Sequence, residues 1–140
     1  MIPIQGLVTT PGAFEDAMTA ACAPSNVVAG RPIALLFTKT PETVLVVLPP
    51  RGMHGPSLIF DSHGRPNAGA NGAYILTCPS QASVVGALNV IFPGMDLGDD
   101  GQNFFYNCFE ATPVQLSPEA AVAATPPAAD VPPAGEVAAT

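Results

Sequence analysis

Residues 33–48, IALLFTKTPETVLVVL, hold two nearly continuous apolar runs separated by Lys39, Thr40, Pro41 and Glu42. Short apolar runs rich in β-branched residues around a Pro-containing polar interval predict a β-hairpin. Neither run alternates cleanly between apolar and polar, which predicts strands buried on both faces. Pro49, Pro50, Arg51 and Gly52 end the second strand. Ser57–Phe60 reads as the next strand, Asp61–Gly72 as a polar, glycine-rich connection, and Ala73–Thr77 as a further strand. The Gly-rich part of that connection leads into a strand, so it reads as a plain turn rather than a phosphate cradle.

Helices are expected on either side of this block. Pro79 and Ser80 open one, with Ser80 as N-cap. Val84, Ala87, Leu88 and Ile91 recur at helical spacing with Val85 and Phe92 beside them, and Pro93 and Gly94 stop the helix. Nearer the N-terminus, Ile4–Thr9 reads as a strand. Thr10 and Pro11 fit an N-cap and first helical position. Phe14, Ala17, Met18, Ala21 and Cys22 form an apolar stripe, Glu15 and Asp16 suit the first turn, and Pro24 closes the helix. Phe104–Phe109 reads as a last, aromatic strand after an acidic loop. The order β-α-β-β-β-β-α-β predicts an α+β domain, a small antiparallel or mixed sheet with two helices.

Composition bounds the function. The chain has 140 residues, room for one small domain. Only 11% are charged, against about 25% in an ordinary soluble domain. Net charge is −7, and the basic residues are Arg31, Lys39, Arg51 and Arg65. So few cations make no phosphate-neutralising patch, which argues against nucleic acid and against a polybasic membrane contact. No apolar run approaches the roughly 18 residues of a membrane span, and no signal segment is visible. Cys22, Cys78 and Cys108 are odd in number and include no CxxC, so no disulfide framework is expected. An intracellular, cytoplasmic setting follows. Residues 113–140 hold six Pro and nine Ala, with no basic or aromatic residue. Such a segment cannot bury enough apolar surface to offset its chain entropy. It reads as an extended or disordered Pro/Ala tail, leaving residues 1–112 as the folded domain.

The chemistry-bearing motif is Asp61-Ser62-His63 at a strand end. Side chains alternate along a strand, so Asp61 and His63 share a side. A carboxylate can orient an imidazole, and the imidazole can activate a thiol. The same spacing also describes a turn Asp beside a loop His. Residues 58–65, LIFDSHGR, are followed by Gly72, Ala73, a strand, and a helix begun by Ser80. This order resembles the His/Asp segment of viral ubiquitin-specific cysteine proteases of the herpesvirus large-tegument-protein type, and of related papain-like deubiquitinases. The resemblance spans Ile33 to Phe92. It implies a papain-like-protease-related fold and, given a thiol, a catalytic set of Cys22, His63 and Asp61. The family places its cysteine far upstream, at a helix N-terminus beside a Gln. Here Cys22 falls at the C-terminal end of a predicted helix, and the nearest upstream Gln is Gln5.

Two readings follow. The first is a non-catalytic binding or structural module with a protease-like fold. It is a viral accessory or particle-associated protein, capsid-surface or tegument-like, whose residues 113–140 dock on a protein partner such as a capsid or other particle subunit. The virion is then a second expected location. The alternative is a minimal cysteine deubiquitinase that uses Cys22, His63 and Asp61 and takes ubiquitin as partner. Neither calls for a cofactor or a metal. His54, His63, Asp61 and the cysteines match no zinc-ligand spacing, and the Asp96–Gly101 stretch lacks the terminal Glu of an EF-hand.

Overall fold

The structure is a computed structural model, and it describes residues 3–66, 69–96 and 105–115. Its elements in chain order are β1 (Ile4–Leu7), α1 (Ala13–Ala21), β2 (Ile33–Lys39), β3 (Glu42–Leu48), β4 (Ser57–Asp61), β5 (Tyr74–Cys78), α2 (Gln81–Ile91) and β6 (Cys108–Val114). A short 3-10 turn, Pro24–Asn26, follows α1. The six strands form one sheet in the order β1-β6-β2-β3-β4-β5, and every pairing is antiparallel. The α+β expectation holds, and the sheet is antiparallel rather than mixed. Strands β2 to β5 form a meander. The hairpin turn between β2 and β3 contains a cis Thr40–Pro41 peptide, with Lys39 opposite Glu42. No helix among the described residues is long and apolar enough to cross a membrane.

Both helices pack on one face of the sheet. From α1 come Phe14, Ala17, Met18 and Ala21, and from α2 come Val84, Leu88 and Ile91. They meet alternate strand residues, among them Leu35, Phe37, Val44, Val46, Ile59 and Phe109, in a single core. Ser80 caps α2 as expected: its side chain accepts from the Ser83 backbone N–H, and Ser83 returns the bond to Ser80. Leu88 is fully buried. Truncating it to alanine is expected to cost about 3 kcal/mol in urea or thermal unfolding. A loss under about 0.5 kcal/mol, the scale of a surface change, would contradict this packing.

Three expectations are corrected. Helix α1 is not capped by Thr10. It begins after Gly12, whose φ of 77° puts the chain in the left-handed region glycine enters freely. The last strand is not Phe104–Phe109. Among the described residues of that stretch, Phe105 to Asn107 form a helical turn, and the strand runs Cys108–Val114, past the composition boundary at residue 113. Asn107 sets this start: its side chain accepts from the Met95 N–H and donates to the Met95 carbonyl, each at 2.7 Å. Finally, the described residues cover β2 and β3 on one face only. Leu36 is 37% exposed and Leu45 and Val47 half-buried, because both described helices lie on the other side. The acidic loop at 97–103, Phe104, and the tail from 116 onward lie outside the described residues.

Candidate functional site

Strand β4 decides where the chemistry sits. Ser57, Ile59 and Asp61 point to the helix-covered face and are buried, while Leu58 and Phe60 point to the other face. Asp61 is therefore a carboxylate at the edge of the core, with its side chain fully covered. Its Oδ1 accepts from the backbone N–H of His63 at 2.9 Å, a local Asx turn that bends the chain out of the strand. Nδ1 of His63 lies 3.1 Å from the same oxygen and, carrying its proton there, donates to it. The other oxygen, Oδ2, accepts from Arg65 Nε at 2.8 Å and from the Tyr74 hydroxyl at 3.1 Å. Tyr74 is placed for this by register, since it pairs directly with Asp61 across β4 and β5.

Arg65 extends the cluster. Its second guanidinium edge meets Glu42 at the start of β3, and its charge sits 6.0 Å from the centre of the Phe92 ring. One side chain thus ties the Asp61 turn to the β2–β3 hairpin and to the end of α2. Backbone bonds between Arg65 and Ala70 close the loop behind it. Burial alone would raise the Asp61 carboxyl. The hydrogen bonds from Arg65 and His63 and the charge of Arg65 outweigh it and hold the group below the usual carboxylate range. Burial likewise opposes the charge on Arg65, but its bonds to Asp61 and Glu42 raise it further above its ordinary value. Tyr74 is pushed up, by burial first and by the Asp61 charge and hydrogen bond second.

Asp61 and His63 are thus brought together as an oriented carboxylate–imidazole pair. The His63 side chain is 42% exposed, with Nε2 on the ring edge away from Asp61. Cys22 is elsewhere. It caps the C-terminal end of α1, donating its N–H to the Met18 carbonyl. Its side chain lines a cavity of about 380 Å³ with Ser57, Arg51, His54 and Ser80, a group without Asp61 or His63. Ser57 and Asp61 are the two ends of β4, about 13 Å apart at strand rise. A helix C-terminus disfavours a thiolate. Burial pushes the Cys22 thiol up, with Arg51 pulling weakly the other way. Cys78 pairs with Ser57 at that same end, and burial raises its thiol also. Cys108 begins β6, three strand spacings or about 14 Å from β4. No described cysteine stands at the imidazole.

The sheet and helices are similar to a solved viral protein, the ubiquitin-specific protease encoded by a murine cytomegalovirus tegument protein, determined in complex with a ubiquitin-based suicide substrate. The TM-score is 0.52 at 18% identity over 80% of this chain. The fold is protease-like. The match covers 43% of that protein's chain, so the present chain spans less than half of its neighbour. No family model matches the sequence, and no curated protein matches it either.

Sequence reasoning singled out Asp61 and His63 but passed over Arg65, Tyr74 and Glu42. The i,i+4 spacing of Asp61 and Arg65 was visible. The partnership with Tyr74 depends on strand register, and that with Glu42 on how the hairpin lies against the β4 turn.

Proposed function

We propose that this chain is a non-catalytic binding module of viral type, built on the sheet-bearing part of a protease-like fold. The observation that carries the reading is the separation of thiol and imidazole: Cys22 and the Asp61–His63 pair occupy opposite ends of β4. Every Asp61 contact also has a structural use, since the carboxylate closes a turn, pairs with a buried guanidinium and holds a tyrosine. Support for a viral setting comes from the neighbour's origin and from the resemblance of the Asp61–Arg65 segment. The full chain, incubated with ubiquitin carrying a vinyl-sulfone warhead, is expected to form no adduct on Cys22, Cys78 or Cys108. It is also expected not to turn over ubiquitin-aminomethylcoumarin. An adduct on Cys22 that disappears in His63→Ala would sink the reading.

One observation favours the alternative, a minimal cysteine deubiquitinase using Cys22, His63 and Asp61. The carboxylate of Asp61 holds Nδ1 of His63 as an orienting group does in a thiol–imidazole–carboxylate set, leaving Nε2 to face a thiol. The same labelling experiment separates the two readings.

A further inference from the structure

The face of the sheet opposite the helices is apolar over β2 to β5, while β6 and β1 present Thr112, Glu110 and Gln5 on that side. Leu36 pairs with Leu45, Leu45 with Phe60, and Phe60 with Ile75, so four large apolar side chains stand in one row over β2, β3, β4 and β5. A second row beside it runs Val114, Ala34, Val47, Leu58 and Thr77. Neither row contains a charge. Ile75 is 61% exposed. A groove of about 890 Å³ lies over the first row and is floored by its four residues with Thr43 and Tyr74 among their neighbours. A contiguous apolar surface of this kind is uncommon on a monomer unless something occupies it.

The chain itself supplies an occupant. Strand β6 ends at Val114, which is a member of the second row, so the chain leaves the sheet at the border of this face. Twenty-five residues, 116–140, remain beyond the described part. From β6 to β5 is four strand spacings, about 19 Å. A proline-rich segment of that length reaches about 78 Å at polyproline rise, several times what is needed. Its chemistry fits as well. Leu116, Val122, Val131 and Val137 are spread among Ala and Pro, and the acidic residues meet no acid in the two rows. Repeated prolines lack the N–H that strand addition requires, so side-chain contact with a face is their available mode. Tethering gives the segment an effective concentration near millimolar for its own face, which a separate partner must exceed.

We propose that residues 116–140 fold back over the open face of their own sheet and cover the Leu36–Leu45–Phe60–Ile75 row. This goes beyond the non-catalytic reading. The groove that such a tail seeks is on the same molecule, and a foreign partner for the face would have to displace the segment.

The test uses the full chain with Ile75 replaced by a benzophenone-bearing phenylalanine, an exposed position whose change leaves the core intact. A second preparation carries the same group at Thr19 on the exposed side of α1. On irradiation, the label at 75 is expected to give adducts of monomer mass whose peptides map to 116–140, and the label at 19 to give none there. Changing Val122, Val131 and Val137 together to Asp is expected to lower that yield about tenfold or more, since each change removes an apolar contact. Three results would overturn the proposal: adducts of dimer mass, adducts confined to other segments, or a yield untouched by the triple change. The first would make a second copy the occupant.

Discussion

Asp61→Ala is expected to destabilise the protein by about 3–5 kcal/mol, the range seen when one partner of a buried ion pair is removed. The carboxylate side chain is fully covered, and that of Arg65 is only 11% exposed. Arg65 Nη2 is already buried without a partner among the described residues. Taking away Asp61 strands most of the guanidinium, frees the Tyr74 hydroxyl and opens the turn at His63. Urea titration of the two proteins measures the loss. Asp61→Ala combined with Arg65→Met is expected to recover part of it, because no uncompensated charge then remains buried. His63→Ala should matter far less, since its side chain is 42% exposed and the ring makes only one of the four bonds to Asp61. A loss from Asp61→Ala below 1 kcal/mol, or a double substitution worse than the single, would show that the cluster is not holding the loop.

The same carboxylate gives a pH dependence with a definite sign. Its folded pKa lies below the unfolded value of about 3.9. The stability it contributes is therefore complete above that value and drains away as pH falls through the lower folded value. Stability of the native chain should drop more steeply below about pH 4 than that of Asp61→Asn, which has no carboxylate to protonate at this position.

How much of this was legible in the sequence depended on range. Helix α2 could be read outright, because a capping Ser80, an apolar stripe and the Pro93–Gly94 stop are all local signals. The β2–β3 hairpin could be read for the same reason. The start of α1 was misread because Thr10–Pro11 is a plausible local start, and the competing feature, a left-handed Gly12, becomes visible only in the backbone. The last strand was placed early on its aromatics, yet β6 is set by long-range pairing with β1 and β2. The described residues cover β2 and β3 on one face, and the sequence could not show this, because apolar runs report what a strand can bury, not which segment supplies each layer. Asp61 and His63 stood out as a spacing, while the distance from Cys22 to them depends on which end of β4 each element reaches. No pattern along the chain encodes that.

Phe109→Ala is expected to be as costly as the loss of Asp61, about 3–5 kcal/mol, through a different mechanism. Strand β6 lies between β1 and β2, and Phe109 is 1% exposed on the helix-covered face. Its ring sits 4.8 Å from that of Phe14 on α1 and 6.0 Å from that of Phe37 on β2. Phe14 and Phe37 are themselves 6.0 Å apart, edge to face. The three rings join the first helix to the sheet, so truncation leaves a cavity bounded by elements that cannot all close on it. The position opposite explains a glycine. A Cβ at Gly6 on β1 would lie 2.6 Å from the Phe109 ring, so Gly6→Ala should cost about 1–3 kcal/mol by overpacking. Joining the two changes tests whether the costs share one origin. In Gly6→Ala with Phe109→Leu, the smaller side chain clears the added methyl, and the pair should be less destabilised than the sum of its parts. Thermal unfolding of the four proteins in that cycle measures the coupling. Strict additivity would mean that Gly6 is required for some reason other than the ring above it.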